Sequence, residues 1–199
     1  MGLKRIWLCM MLLALFGAPL FASEGTARHE VYGGYGFASL LHITSSILDD
    51  IAFSYSAPFT GAKSQSDQGS LGPVFLGYNY SYARHGFVGL VGSYEQVKTR
   101  WNYEDGHADW NLYFTSLMVR TGLTWGWEWV QVYHSLSLGG TYVDAANSDT
   151  TGYRRSAHKT IPAGHIALLG LRFGRGLGLF ADVGIGTLGL VNFGASFKF

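Results

Sequence analysis

Eight stretches of this chain alternate apolar side chains with polar or small ones, and this alternation restricts the fold more than any other feature. A period of two residues predicts β-strands with one apolar face. Turn residues separate the stretches, which lie at residues 30–40, 71–82, 86–101, 109–125, 127–143, 160–173, 177–185 and 190–199. An even number of strands allows an antiparallel sheet to close on itself, so the pattern predicts a closed barrel.

The composition indicates a membrane environment without a membrane helix. Charged residues make up 14% of the chain and aromatic residues 16%, whereas soluble domains carry roughly 25% charge. After Phe21 no apolar run approaches the roughly 20 residues of a membrane-spanning helix. Most predicted strands reach the roughly 9–11 residues that a tilted membrane strand needs. The sequence therefore predicts an all-β fold, namely an eight-stranded antiparallel transmembrane β-barrel.

The N-terminal segment has the layout of a secretory signal peptide. A short cationic start precedes an apolar run at residues 6–16, and small residues follow that run. We expect cleavage after Ala22, so that residues 1–22 are a signal peptide and residues 23–199 form the barrel domain. Cleavage removes Cys9 and two of the 14 basic residues. It leaves 12 basic residues against 13 acidic ones. The mature chain then has no cysteine for a disulfide and a formal net charge of −1, which gives no general case for nucleic acid binding.

The predicted connections alternate between tight turns and longer loops, as in barrels with short periplasmic turns and longer external loops. The long connections are residues 41–70, 102–108 and 144–159. In the first of them, Ile43, Ile47 and Ile51 recur at four-residue spacing within residues 41–53. This spacing predicts a short amphipathic helix that either covers the barrel mouth or lies on the membrane surface. Residues 56–70 are rich in Gly, Ser, Gln and Asp and predict a mobile loop.

Four predicted strands each place one charged residue on the face opposite their aliphatic side chains. These residues are Glu95, Arg120, Arg172 and Asp182. A charge at the lipid midplane costs roughly 2–4 kcal/mol, so all four are expected to point into the barrel and to pair there, two acids with two bases. We interpret them as a buried polar core that fixes strand register, because the interior of an eight-stranded barrel is filled by its own side chains.

Aromatic residues near the predicted strand ends suggest two girdles at the membrane interfaces. One group is Trp125, Trp127 and Trp129, and the other is Trp101, Tyr103 and Trp110. Other aromatic residues occupy faces that fill the interior and so disfavour an open pore. These are Phe75, Phe87, Tyr133 and Phe180.

The third long connection carries a basic cluster beside Tyr153. Its members are Arg154, Arg155, His158 and Lys159. If this connection is external, the cluster lies near the phosphates of lipopolysaccharide, which bind cations favourably. The cluster is therefore a candidate contact with lipopolysaccharide, and ordinary loop charge is the alternative.

The chain shows no convincing catalytic or metal-binding pattern. His134–Ser135 and Ser156–His158 supply residue types that a lipid-modifying enzyme would need. However, adjacent strand residues point to opposite faces, and neither pair has an evident third member. The seven histidines lack metal-ligand spacing, and no phosphate-binding loop is present. We therefore expect no enzyme activity, no metal and no cofactor.

Four segments, taken in their order and spacing, resemble the small outer-membrane β-barrel family of Gram-negative bacteria, of the OmpX/Ail type in general shape. They are residues 72–80, 92–95, 161–174 and 191–199. The resemblance implies a multi-pass barrel in the outer membrane, with Phe197 and Phe199 forming the signal that the barrel-assembly machinery recognises. We expect a monomer whose partners are outer-membrane lipid and lipopolysaccharide. The expected function is a structural or surface-interaction role of the adhesion type. The alternatives are a lipid A- or phospholipid-modifying enzyme, or a narrow pore.

Overall fold

Eight strands of the protein close into an antiparallel ring, which confirms the predicted barrel. The computed structural model describes residues 29–60, 63–67, 69–104, 106–149 and 154–199; the predicted signal peptide lies outside them. The strands are β1 (His29–Phe37), β2 (Ser64–Asp67), β3 (Leu71–Ser81), β4 (Gly86–Asn102), β5 (His107–Gly126), β6 (Val130–Asp149), β7 (Arg154–Phe173), β8 (Leu177–Gly186) and β9 (Val191–Lys198). Helix α1 (Leu40–Thr60) follows β1. The order around the ring is β1-β3-β4-β5-β6-β7-β8-β9, with β9 returning to β1.

The ring closes between the first and the last strand. Their register runs from Glu30 opposite Lys198 to Phe37 opposite Val191. Beyond this ladder the backbone of Phe199 exchanges two hydrogen bonds with that of His29, at 2.9 and 3.0 Å. The two rings also stack with their centroids 5.5 Å apart. The alternating C-terminal segment is therefore the strand that completes the barrel.

The barrel wall is much taller on one side than on the other. Strands β5, β6 and β7 have 20 residues each and β4 has 17. Strands β1, β3, β8 and β9 have only 8 to 11 residues. Strand β2 pairs with the upper part of β4, from Ser64 opposite Asn102 to Asp67 opposite Thr99, and so continues the wall above β3. We call the part of β2 and β4–β7 above Tyr94 and Tyr142 the extended wall.

Two predictions of loops are wrong. Residues 144–149 and 154–159, expected in a loop, belong to the long hairpin of β6 and β7. Residues 56–70, expected to be mobile, contribute the end of α1 and all of β2. The reason is that polar side chains on the outer face of the extended wall give these strands a loop-like composition. No helix among the described residues is both long and apolar enough to cross a membrane.

Helix α1 lies inside the barrel mouth against the wall formed by β4. Its N-terminus is capped by Ser39, whose hydroxyl accepts a hydrogen bond from the His42 backbone N–H at 2.9 Å. Further along, the Trp101 indole N–H donates to Asp49 at 3.2 Å. The Phe53 ring meets the edge of the same indole, with centroids 5.5 Å apart. The predicted helix is therefore present, and it extends beyond the expected residue 53 to Thr60.

Candidate functional site

The four charged residues that we expected inside the barrel are buried, with exposures between 2% and 8%. Among the described residues, however, they do not pair with one another. The Arg172 guanidinium Nε lies 3.0 Å from the Glu30 carboxylate and donates to the Ser196 hydroxyl at 2.7 Å. The two terminal nitrogens of the same guanidinium donate to the carbonyls of Gly174 and Gly176 in the next turn. Sequence reasoning missed Glu30, although it shares the inward face of β1 with the buried Tyr32.

Arg120 is held mainly by aromatic rings. Its guanidinium lies 4.7 Å from the ring centroid of Tyr32 and 5.5 Å from those of Phe87 and Tyr133. It also donates to the Ser135 hydroxyl at 3.1 Å. Tyr133 in turn donates to Asp182 at 2.7 Å, so the phenol lies between the cation and the acid. Burial without a direct ion pair is tolerated here because hydrogen bonds and rings surround each charge.

Glu95 joins the interior to the barrel mouth. It accepts the Ser39 hydroxyl at 2.6 and 2.7 Å, and the His42 ring lies 3.7 Å away. The same serine caps α1, so the start of the helix is attached to the floor of the mouth. This contact could not be read from the alternation of β4, which shows only that Glu95 faces inward.

The interior below this level is filled. The aromatic residues that we expected to fill it are all buried: Phe75, Phe87, Tyr133 and Phe180. A cavity of about 30 Å³ remains between Arg120 and Arg172, which is room for roughly one or two waters. This packing of aromatic side chains disfavours an open pore.

The structure separates the members of one of the two His–Ser pairs that we weighed as catalytic, and it leaves those of the other on one face. His134 lies outside, 5.0 Å from the Trp125 ring, whereas Ser135 is buried beside Arg120. Ser156 and His158 are both exposed on the outer face of β7. Among the described residues, no cluster of three His, Cys, Asp or Glu side chains could hold a metal ion.

The predicted basic cluster lies in a strand and not in a loop. Arg154 and Arg155 pair in the backbone with Ser148 and Asn147 of β6. His158 stacks on Tyr142 at the outer face, with ring centroids 6.0 Å apart. Lys159 lies on the opposite face and lines the barrel mouth. His158 and Lys159 therefore do not belong to one surface patch.

The outer face of the extended wall is polar. Arg100 holds Asp109 through two hydrogen bonds of 2.6 and 3.0 Å, and this hydrogen bonding keeps the pKa of Asp109 below its usual range. Lys98, Asn111 and Tyr113 share this face with the pair. A polar outer face is expected where the wall stands in water.

The inner face of the extended wall is apolar. Together with α1 it bounds an open cavity of about 530 Å³, which we call the mouth cavity. Its apolar lining includes Leu48, Val97, Leu112, Phe114, Val143 and Ile161. Trp110 also lines it, and the buried Trp101 packs 6.1 Å from Trp110. The prediction that these two tryptophans form an outer girdle is wrong, because the inward face of the wall becomes apolar above Glu95.

Comparison with solved structures returns Ail, the attachment invasion locus protein of Yersinia pestis, once alone and once in complex with the heparin analogue sucrose octasulfate. Each match has 18% sequence identity and a TM-score of 0.49, and covers 88% of this chain and 100% of the Ail chain. No protein-family model and no curated protein matches this chain. The barrel fold itself is established by the strand pairing described above.

Proposed function

We propose that this chain is an integral outer-membrane β-barrel with a non-catalytic, surface-interaction role. The observation that supports it is the belt of exposed apolar side chains around a ring that keeps its charges inside. Along β8 the alternation has no exception: Leu179 is 67% exposed, whereas the neighbouring Phe180 and Asp182 are 7% and 8% exposed. Such an apolar outer surface is stable only in lipid or against another apolar surface.

The dimensions of the belt suit a membrane. Strand β8 has 10 residues, and at about 3.3 Å per residue and a tilt of about 40° it rises roughly 25 Å. That is roughly the height of the apolar band on membrane barrels. Exposed aromatic residues mark both borders: Trp127 and Trp129 at the end where β1 begins and β9 ends, and Tyr94 and Tyr142 at the other.

A surface-interaction role is supported by the extended wall. Residues 143–149 of β6 alone add roughly 20 Å of strand beyond the belt. The headgroup layer adds only roughly 5–8 Å on each side of a bilayer. The wall would therefore reach past the headgroups and present polar side chains there.

The proposal retains the signal peptide and the partners inferred from the sequence. The signal peptide would direct export and would be removed near Ala22 before the barrel inserts into the outer membrane. Phe197 and Phe199 are 51% and 57% exposed on the last strand, where the barrel-assembly machinery could contact them. Lipopolysaccharide would contact the outer face of the extended wall, where Lys98 and His158 lie. We propose a monomer because the ring is closed within one chain.

The membrane assignment is tested by extracting membranes and comparing gel migration with and without heating. A barrel should partition with the membrane and migrate faster before heating than after. A single heat-independent band in the soluble fraction would contradict the proposal.

The surface role and its alternatives are tested in cells with and without the gene. An epitope placed between residues 151 and 152 should be labelled on intact cells, whereas one placed between Arg175 and Gly176 should require permeabilised cells. Lipid A and phospholipid mass spectra should not change, and the purified protein should give no steady conductance in planar bilayers. An altered lipid would favour the enzyme, and stable conductance would favour the pore.

A further inference from the structure

The polarity of the wall inverts at the level of Tyr94 and Tyr142. Below them the outer face is apolar, and the inner face carries charges such as Arg120. Above them the outer face carries Lys98 and the Arg100–Asp109 pair, while the inner face is apolar. A wall that only had to stand in water would not need this inner surface, because an exposed apolar concavity costs free energy in proportion to its area.

Helix α1 covers only part of this inner surface. It contacts β4 through Asp49 and Phe53. On the side of the mouth cavity, Leu40 and Leu48 remain 44% and 60% exposed. The cavity volume of about 530 Å³ lies within the roughly 300–1,000 Å³ typical of small-molecule sites. Helix and wall thus leave an apolar space of ligand size between them.

The charges of the mouth cavity favour an anionic ligand. Asp49 and Lys159 are the charged residues among the described residues that line it. Asp49 already accepts the Trp101 indole N–H at 3.2 Å. The Lys159 ammonium group is exposed and forms no ion pair or hydrogen bond with the rest of the described chain. An acidic headgroup beside Lys159 would give the cavity its charge partner.

We propose that the mouth cavity binds one long acyl chain that ends in a carboxylate, as in a long-chain fatty acid. The chain lies between Leu48 of α1 and the inner wall at Leu112 and Phe114. The carboxylate lies next to Lys159. A two-chain phospholipid, a neutral apolar molecule and an apolar peptide are the competing occupants, and the test separates them.

Binding is measured with the mature protein in lipid nanodiscs, by quenching of tryptophan fluorescence with 9,10-dibromostearate. The background variant carries Trp125→Phe, Trp127→Phe and Trp129→Phe, so the remaining fluorescence comes from Trp101 and Trp110 at the cavity. We expect saturable quenching that exceeds the quenching by a dibrominated two-chain phosphatidylcholine in the same nanodiscs. Quenching that rises linearly without saturation, or that is equal for the phospholipid, would overturn the proposal.

Matched pairs of variants then assign the two parts of the ligand. Leu48→Gln should weaken binding about five- to tenfold, because it removes an apolar contact. Ile47→Gln, at the neighbouring 53% exposed position outside the cavity lining, should leave binding unchanged. Lys159→Gln should weaken binding of the acid about two- to fivefold but not that of its methyl ester. Lys98→Gln on the outer face should change the binding of neither the acid nor its methyl ester.

Equal weakening by Leu48→Gln and Ile47→Gln would show that the chain binds elsewhere. Equal affinity for acid and ester in the unmodified protein would refute the carboxylate and leave a neutral apolar occupant. Because all four substituted side chains are at least partly exposed, each variant should still give the heat-dependent gel shift of a folded barrel. Crosslinking of the same sites to another polypeptide, with no effect of the fatty acid, would favour the peptide and overturn the proposal.

Discussion

Replacing Glu30 with glutamine tests whether the buried ion pair near the barrel seam stabilises the fold. The Glu30 carboxylate lies 3.0 Å from Nε of Arg172, and the arginine side chain is only 3% exposed. Removing one partner of a buried pair typically costs roughly 3–5 kcal/mol, because the other charge stays buried without compensation. Glu30 is itself 17% exposed, and Arg172 keeps the carbonyl of Gly176 and the hydroxyl of Ser196. We therefore expect Glu30→Gln to lower the free energy of unfolding by about 2–3 kcal/mol.

The same end of the barrel offers a matched control. Glu128 and Arg175 approach to 2.9 Å, similar to the buried pair, but their side chains are 63% and 69% exposed. An exposed pair contributes roughly 0–1 kcal/mol because water screens it. Glu128→Gln should therefore change stability by less than about 1 kcal/mol. The two substitutions remove the same group and differ mainly in burial.

The assay is equilibrium unfolding of the refolded protein in lipid vesicles, with guanidinium as denaturant and tryptophan fluorescence as the signal. The midpoints can be compared only if the free energy of unfolding falls with denaturant concentration at the same slope in each variant. The reasoning would be refuted if Glu30→Gln and Glu128→Gln shifted the midpoint equally. A stabilising effect of Glu30→Gln would likewise show that desolvation of the pair outweighs its attraction.

Three further substitutions test the seam, the helix and the terminal residue. Gly34→Ala should prevent formation of the heat-shifted band, because a Cβ there would lie 2.3 Å from a carbonyl oxygen of β9; Gly33→Ala, with no neighbour closer than 3.4 Å, should fold. Ser39→Ala removes the cap of α1 and the hydroxyl bound to Glu95. This substitution should lower the stability of the helix by about 1–2 kcal/mol. It should also speed proteolysis within α1 while the barrel remains intact. Phe199→Ala should lower the fraction of chains assembled into membranes, measured in cells by the ratio of folded to unfolded band; an unchanged ratio would exclude this residue as the assembly signal.

The strands within the apolar belt could be predicted because their environment is uniform. An apolar outer surface around a tightly packed interior leaves a strict alternation, as along residues 177–186 of β8. The four buried charges were found for the same reason. Their partners were not, because alternation reports which face a residue occupies and not which strand lies across the interior. Pairing between Arg172 of β7 and Glu30 of β1, which lie far apart in the sequence, requires the register of the closed ring.

The structure of the barrel mouth could not be predicted from the sequence, for a different reason. Above the belt the outer face is polar and the same alternation changes sign, so the outer residues Lys98 and Arg100 resemble those of a loop. Trp101 and Trp110 were assigned to a girdle because aromatic residues at strand ends usually face lipid. The structure shows that both face inward, Trp101 against α1 and Trp110 toward the mouth cavity. The helix was predicted from its isoleucine spacing, but its attachment through Ser39 was not.

Because the wall is taller on one side, the barrel has two different sides within the plane of the membrane. Strands β4 to β7 rise beyond the belt, whereas β8, β9 and β1 end near its border. The mouth is therefore a notch that opens sideways over β8, β9 and β1, just above the border of the belt. In the membrane that we propose, this border is the headgroup layer, and a molecule anchored in that layer would reach the notch by two-dimensional diffusion. Its occupancy would follow its mole fraction among the lipids and not its concentration in the surrounding water.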